Sequence, residues 1–116
     1  MNEIKNQKQY DLEERTFQFA KNTRLFVSNL PKKLTNMDDI KQLIRSSGSI
    51  GANYIEANDS LSKKDFIMRI KISRKEAKET RFWLRLIDEN AKDRDILLKE
   101  ATELMNILGA ILKKSE

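Results

Sequence analysis

The sequence predicts an all-α protein, an antiparallel up-down-up-down four-helix bundle, and three observations lead to this fold. Apolar residues return every three or four positions in four separate segments, which is the period of an amphipathic helix. Only 3 Gly and 1 Pro interrupt the 116 residues, so long helices are favoured over turn-rich β structure. The connections between the segments are short, which makes consecutive helices antiparallel neighbours. A chain of this length corresponds to one domain, residues 1–116, with a core of its own.

The first segment predicts a helix over residues 11–30. Pro31 ends it, because proline disfavours helical geometry in the residue before it. Residues 1–9 are polar and are expected to be flexible. The inward positions of this helix recur at a spacing of 4-3-4-3-4 and are Leu12, Thr16, Phe19, Thr23, Phe26 and Leu30.

The second segment predicts a helix over residues 37–58 that starts at Thr35 or Asn36, since small polar residues favour helix starts. Its middle, residues 46–52, is rich in Ser and Gly, and a loop there is the alternative interpretation. The apolar pattern stays in phase across this stretch, so we predict a continuous helix that another helix crosses closely. The small residues expected at that crossing are Ser47, Gly51 and Ala52.

The third and fourth segments predict helices over residues 62–89 and 95–113. Ser62 is expected to cap the third helix, with Asp65 in its first turn. The stretch Asn90–Arg94 is polar and is expected to form a short loop. The fourth helix has a single apolar stripe, which consists of Leu97, Ala101, Leu104, Leu108 and Ile111.

The third helix is apolar on two opposite sides. The stripe expected to face the bundle consists of Phe66, Ile70, Ser73, Ala77, Thr80, Leu84 and Ile87. Roughly half a turn away lies what we call the outer apolar set, which consists of Met68, Ile72, Phe82 and Leu86. Exposing all four would leave a contiguous apolar patch, so they are predicted to contact another subunit of a homo-oligomer.

The third helix also carries a row of cations at a spacing of 3-4-3-4. This basic stripe consists of Lys71, Arg74, Lys78, Arg81 and Arg85. The first four have no acidic residue three or four positions away, so they repel one another mildly and need counter-charge from elsewhere. Phosphates of RNA or DNA, an acidic protein partner, and a solvated face with some Arg–Glu pairing are the alternatives. The net charge of +5 suits an acidic partner.

Several chemistries are excluded by composition. The chain has no His and no Cys, which rules out Ser–His and Cys–His catalysis and zinc sites built on those residues. Glu76 and Glu79 share a face, and we expect them to form ion pairs with Arg or Lys. We therefore expect a protein that is not an enzyme and has no cofactor or metal. No apolar run is long enough for a bilayer and no apolar signal core begins the chain, so we expect a cytoplasmic protein without membrane contact.

Four motifs carry a resemblance to a known family. In chain order they are Tyr10–Phe17, Arg45–Ala57, Ser62–Ile67 and Lys75–Ile87. Over residues 10–112 the chain resembles the bacterial four-helix-bundle proteins encoded in intervening sequences of 23S ribosomal RNA genes. Members of that family are similar to the accessory variability determinant protein of diversity-generating retroelements.

The resemblance implies an antiparallel four-helix bundle that assembles as a ring-shaped homopentamer and has an RNA- or DNA-linked role. It implies no catalytic residues. Two functions remain open: an oligomeric scaffold that binds nucleic acid through the basic stripe, and a structural oligomer that docks a protein partner. The positions that match the family's pattern are expected to determine the bundle and its interfaces, and they are Arg45, Ser47, Asn53, Glu56, Glu76, Glu79, Arg81 and Trp83.

Overall fold

The computed structural model describes residues 2–116, with the side chains of residues 11–33 and 35–116. Within residues 2–116 there is no strand, which confirms the predicted all-α class. A short 3-10 helix, Leu34–Asn36, comes directly before the second α-helix. The four α-helices are α1 (Asn2–Ser28), α2 (Met37–Asn58), α3 (Lys63–Arg85) and α4 (Ala91–Ser115).

The helices form the predicted antiparallel up-down-up-down bundle, about 48 Å long and 24 by 19 Å across. Helix α2 packs between α1 and α3, and α4 packs between α3 and α1. The diagonal pairs, α1 with α3 and α2 with α4, do not pack against each other in the described residues. Contact is most extensive between α2 and α3 and least extensive between α1 and α4. The α1–α4 seam is therefore the most open side of the bundle.

The inward stripe of α1 is buried as predicted, from Leu12 through Leu30. Two of its members are threonines, and each satisfies its hydroxyl within the helix. Thr16 Oγ1 donates to the Leu12 carbonyl at 2.9 Å, and Thr23 Oγ1 donates to the Phe19 carbonyl at 2.8 Å. The inward stripe of α3 is buried too, apart from the half-buried Phe66.

Helix α2 is continuous through its Ser- and Gly-rich middle, which confirms the helical interpretation over the loop. A Cβ atom on Gly51 would lie 2.8 Å from Thr16 Oγ1, so α1 crosses α2 closely at this glycine, as predicted. Ser47 is also buried. The prediction for Ala52 is wrong, because this residue lies about 200° around the helix from the buried Ile50 and is exposed.

Small hydroxyl residues line the seam between α2 and α3. Ser73 Oγ donates across the seam to the Ile50 carbonyl at 2.7 Å. Thr80 Oγ1 approaches Ser46 Oγ at 2.9 Å, also across the seam. These bonds satisfy buried polar groups while their small side chains let the two backbones approach, which explains the extensive contact between the helices.

Two helix starts were predicted from small polar residues. Ser62 caps α3 as predicted, and its Oγ accepts a hydrogen bond from the Asp65 amide at 3.1 Å. Asn36 occupies the corresponding position before α2, but its side chain makes no capping bond. Helix α1 begins at Asn2 rather than near Asp11. The flexibility expected of residues 1–9 stays a prediction, and the side chains of residues 1–10 lie outside the described part.

The turn between α3 and α4 lies four residues earlier than predicted, at residues 86–90, and has the predicted length. Helix α3 ends at Arg85, not near Glu89, because the Leu86 and Ile87 amides bond to carbonyls three residues back at 3.2 and 3.1 Å. Asn90 then adopts left-handed backbone geometry with φ 52°, a conformation that asparagine tolerates better than most residues. Helix α4 consequently begins at Ala91 instead of near residue 95.

Candidate nucleic-acid and subunit interfaces

The basic stripe lies on the side of α3 that borders α4. Arg81 Nε donates to Thr102 Oγ1 of α4 at 2.9 Å, so this guanidinium is tied to the neighbouring helix. Arg74 lies over Gly109 of α4, where its Nε is 3.5 Å from the position that a Cβ would occupy. The remaining members of the stripe, Lys71, Lys78 and Arg85, are exposed.

Part of the stripe borders a shallow cavity of about 250 Å³ between α3 and α4, which we call the cationic groove. The groove brings together two lysines and one arginine of the predicted stripe and leaves Arg81 and Arg85 outside it. Its lining residues are Lys71, Arg74, Lys75, Lys78 and Leu112.

Sequence reasoning missed Lys75 as a member of this groove. Glu79 lies four residues after Lys75, a spacing that suggests an ion pair within α3. In the structure the Glu79 carboxylate accepts a hydrogen bond from Arg45 Nη2 of α2 at 2.8 Å instead. Lys75 therefore remains at the groove, and no signal in α3 alone could have shown this.

The acidic residues of α3 are paired with α2 rather than with the basic stripe. Arg45 Nη1 approaches both carboxylate oxygens of Glu76 at 3.2 and 3.3 Å, and the hydrogen bond with Glu76 raises the pKa of the Arg45 guanidinium. The expected ion pairing of Glu76 and Glu79 is thus confirmed. Arg45 is the partner of both carboxylates, and neither Arg74 nor Arg81 forms a salt bridge with them.

Acidic residues of α4 are likewise directed away from the basic stripe. Arg15 of α1 binds Glu100 at 2.7 Å and Glu103 at 3.0 Å, across the opposite seam. Among the described side chains, no member of the basic stripe forms a salt bridge. The α3–α4 border therefore carries uncompensated positive charge.

The outer apolar set lies on the solvent side of the subunit. Met68 is 49 % exposed, Phe82 is 54 % exposed and Leu86 is 47 % exposed, while Ile72 is half-buried. The four residues do not form one contiguous patch, because Lys75 and Glu79 occupy the same side of α3 between them. The ten residues from Ile72 to Phe82 rise about 15 Å along the helix. Contact of these two apolar pairs with another subunit stays a prediction.

A larger apolar groove, about 770 Å³ in volume, lies at the end of the bundle where α2 joins α3. Arg15 and Asn58 are among its polar lining residues. Burial at this groove raises the pKa of the Tyr54 hydroxyl, and the Tyr54 side chain packs with the core. The principal apolar residues of the groove are Leu12, Tyr54, Phe66, Ile107 and Ile111.

The part of the chain that the structure describes shows neither a membrane span nor a cluster of metal ligands. No helix there is long and apolar enough to cross a membrane. No group of three or more His, Cys, Asp or Glu side chains in that part is arranged to hold a metal ion.

Fold and surfaces together define a class: small antiparallel four-helix bundles with a cationic groove on one seam and apolar residues exposed on one helix. The chain belongs to the 23S rRNA-intervening sequence protein family, whose model matches residues 8–114. This confirms the family expected from the four motifs. The further similarity to the retroelement accessory protein stays a prediction.

One of the solved structures that match the chain shows the same fold over most of its length. It is a protein of unknown function from the S23 ribosomal protein family of Bacteroides thetaiotaomicron, with 32% sequence identity and a TM-score of 0.77. The match covers 91% of the present chain and 98% of that chain, so it extends over the whole bundle. No curated protein matches the chain.

Proposed function

We propose that the protein is a non-enzymatic homo-oligomeric scaffold that binds nucleic acid through the basic stripe of α3. The observation that carries this proposal is the distribution of ion pairs. Arg45 and Arg15 engage four carboxylates on α3 and α4, whereas no member of the basic stripe forms a salt bridge within residues 11–116. Neighbouring cations without counter-charge favour a polyanionic ligand.

Phosphates are the counter-charge that this arrangement favours. Lys71, Lys78 and Arg85 are exposed and lie along one side of α3, so they suit the repeated charge of a nucleic-acid backbone. Contacts to phosphate fix position but carry no base information. Binding is therefore expected to be largely independent of sequence.

Assembly would place several copies of the weakly binding basic stripe on one oligomer. The outer apolar set lies about half a turn from the inward stripe of α3, and three of its members are about half exposed in the single subunit. Contact between subunits would bury these residues and present one basic stripe per subunit on a single assembly. Several weak sites held together raise the apparent affinity without new contacts. The resemblance to ring-shaped homopentamers suggests five subunits.

Salt-dependent binding tests the nucleic-acid part of the proposal. Single-stranded RNA and duplex DNA of equal length should each be titrated with the wild-type protein at several salt concentrations. Each neutralised phosphate should contribute about 0.9 to the log–log slope for duplex DNA and about 0.7 for a single strand. A purified sample whose absorbance ratio at 260 and 280 nm shows co-purified nucleic acid would agree with this. Absence of binding to both probes at low salt would contradict the proposal.

The second candidate is a structural oligomer that docks a protein partner, and the apolar groove at the α2–α3 end favours it. A groove of about 770 Å³ lined by Leu12, Phe66, Ile107 and Ile111 has the size and apolar character of a site for partner side chains. If the protein assembles but binds neither RNA nor DNA, this second function becomes the better account. A partner would then be sought with the assembled protein as bait.

A further inference from the structure

We infer that the cationic groove is a preformed phosphate-binding site centred on Arg74, and that a nucleic-acid backbone follows the α3–α4 seam rather than the outer side of α3. This inference rests on the proposed function, because it specifies where on the basic stripe the polyanion binds. It also divides the stripe into two parts with different roles: Arg74, Lys71 and Lys78 bind phosphate, whereas Arg81 holds α4 in place.

Arg74 differs from Arg15, Arg45 and Arg81, three described arginines that also contact a neighbouring helix. Arg45, Arg15 and Arg81 all use their guanidinium groups in hydrogen bonds to acidic or hydroxyl side chains. Arg74 makes no such bond within residues 11–116, and its Nε is buried without a hydrogen-bond partner. A buried donor without a partner costs stability, and an anion in the groove would compensate the charge of the half-buried guanidinium.

The position of Arg74 depends on a glycine of the opposite helix. Its Nε, Cζ and Cδ atoms lie 3.5, 3.8 and 4.0 Å from the position of a Cβ on Gly109. The guanidinium lies against the α4 backbone there. A Cβ alone would make an ordinary contact with it, whereas a side chain as large as leucine would compete for the same space. Contact with the α4 backbone restricts the orientation of the guanidinium before any ligand binds, which lowers the entropy lost on binding.

The other lining residues complete an anion site. Lys71 and Lys78 lie three residues before and four residues after Arg74, and Lys75 is adjacent to it. Leu112 forms an apolar wall, which lowers the local dielectric and strengthens attraction between the cations and a phosphate. Arginine presents paired donors that match phosphate oxygens, whereas lysine acts as a point charge. The groove therefore has one arginine held against α4 and three exposed lysines beside it.

The length of the groove indicates the number of phosphates it contacts. Seven residues separate Lys71 from Lys78, a rise of about 10 Å along α3. A groove of this length can contact only a few consecutive phosphates of one strand. Both DNA and RNA backbones supply the required chemistry, and separate DNA and RNA titrations distinguish the two sources.

Arginine variants with a matched control test the inference. Fluorescein-labelled single-stranded RNA and duplex DNA of equal length should be titrated with wild type, Arg74→Gln, Arg74→Lys and Arg24→Gln. Arg24 is the control because it is exposed and lies beside Gly48 on the α1–α2 seam, with the same loss of charge on substitution. Arg74→Gln should weaken binding about tenfold, as expected for a charge-assisted hydrogen bond. Arg74→Lys should fall between it and wild type, and Arg24→Gln should change affinity less than twofold.

A further variant, Gly109→Leu, keeps every charge but fills the space beside the α4 backbone in which the Arg74 guanidinium lies. Gly109→Leu should weaken binding while its circular dichroism spectrum remains that of the wild type. If this variant fails to fold, Arg74→Gln and Arg74→Lys still test the inference. If the Arg74 variants bind the probes as tightly as Arg24→Gln does, the inference is overturned. The proposed function still stands in that case if the Lys71→Ala, Lys78→Ala double variant binds more weakly than wild type. Wild-type protein that binds neither probe would overturn both. If only RNA or only DNA binds, with the same ranking of variants, the groove is supported and the nucleic acid that supplies the phosphates is identified.

Discussion

Gly51 shows at the scale of one residue how the sequence makes room for a helix crossing. Replacing a helical glycine by alanine ordinarily stabilises a helix by about 1 kcal/mol. At this position the new Cβ would lie 2.8 Å from Thr16 Oγ1 and 3.1 Å from Thr16 Cβ, and Thr16 is fully buried. Gly51→Ala should therefore lower the free energy of unfolding by about 1–3 kcal/mol, the cost of overpacking a core.

Gly48 provides the control for this measurement, because it lies one turn earlier on the same helix. A Cβ there would be 3.5 Å from the mobile Arg24 Nη2, which is an ordinary contact. Gly48→Ala should raise the midpoint of thermal unfolding while Gly51→Ala lowers it. Equal stabilisation by both substitutions would show that α1 does not cross α2 closely at Gly51.

A second contrast at the residue scale concerns the two carboxylates bound by Arg45. The Glu76 side chain is 9 % accessible and the Glu79 side chain is 38 % accessible. Arg45→Met should cost about 1–3 kcal/mol in unfolding free energy, because it leaves the Glu76 carboxylate buried without its partner. Glu79→Gln removes only a solvent-screened pair and should cost less than about 1 kcal/mol. Urea unfolding should rank the variants in this order, and the reverse order would contradict the account of this cluster.

At the scale of the element, the caps of α2 and α3 give a matched pair. Ser62 Oγ accepts a hydrogen bond from the Asp65 amide, whereas the Asn36 side chain makes no capping bond. Ser62→Ala should lower the free energy of unfolding by about 1 kcal/mol. Asn36→Ala should cost clearly less, as measured by chemical denaturation. A larger loss from Asn36→Ala would indicate a cap that the structure does not show.

The elements were predictable from sequence to the extent that each helix carries its own periodic signal. The inward stripe of α1 and the continuous path of α2 followed from that signal. The end of α3 did not, because it depends on two 3-10 hydrogen bonds and on the left-handed Asn90. Such local geometry has no periodic signature.

The candidate site was predictable only in part. The spacing within α3 predicted a row of cations along one side of the helix, but the groove between helices depends on residues distant in sequence. Arg74 lies against Gly109, and Arg45 binds the Glu79 carboxylate that would otherwise be available to Lys75. Contacts between helices therefore decided which cations remain unpaired.

At the scale of the whole molecule, the outer apolar set predicts assembly. Light scattering should give a mass that is a multiple of 13.6 kDa. Phe82→Asp should reduce the mass toward that of one subunit while the circular dichroism spectrum stays helical, because a charge would be placed in the proposed contact. Phe17→Asp is the control, since Phe17 is similarly exposed, at 53 %, but lies on α1. A single-subunit mass for the wild type at micromolar concentration would refute the prediction.

The most direct test of the central claim compares two lysine pairs in a salt-dependent binding titration. Lys71→Ala with Lys78→Ala removes two charges from the cationic groove, and Lys41→Ala with Lys99→Ala removes two exposed charges from α2 and α4. Both double variants should keep the wild-type mass. The groove variant should bind RNA and DNA more weakly, and its log–log salt slope should be smaller by up to about 1.8 for duplex DNA in each groove that contacts it. Equal affinities and slopes for the two double variants would contradict the claim that nucleic acid binds through the basic stripe.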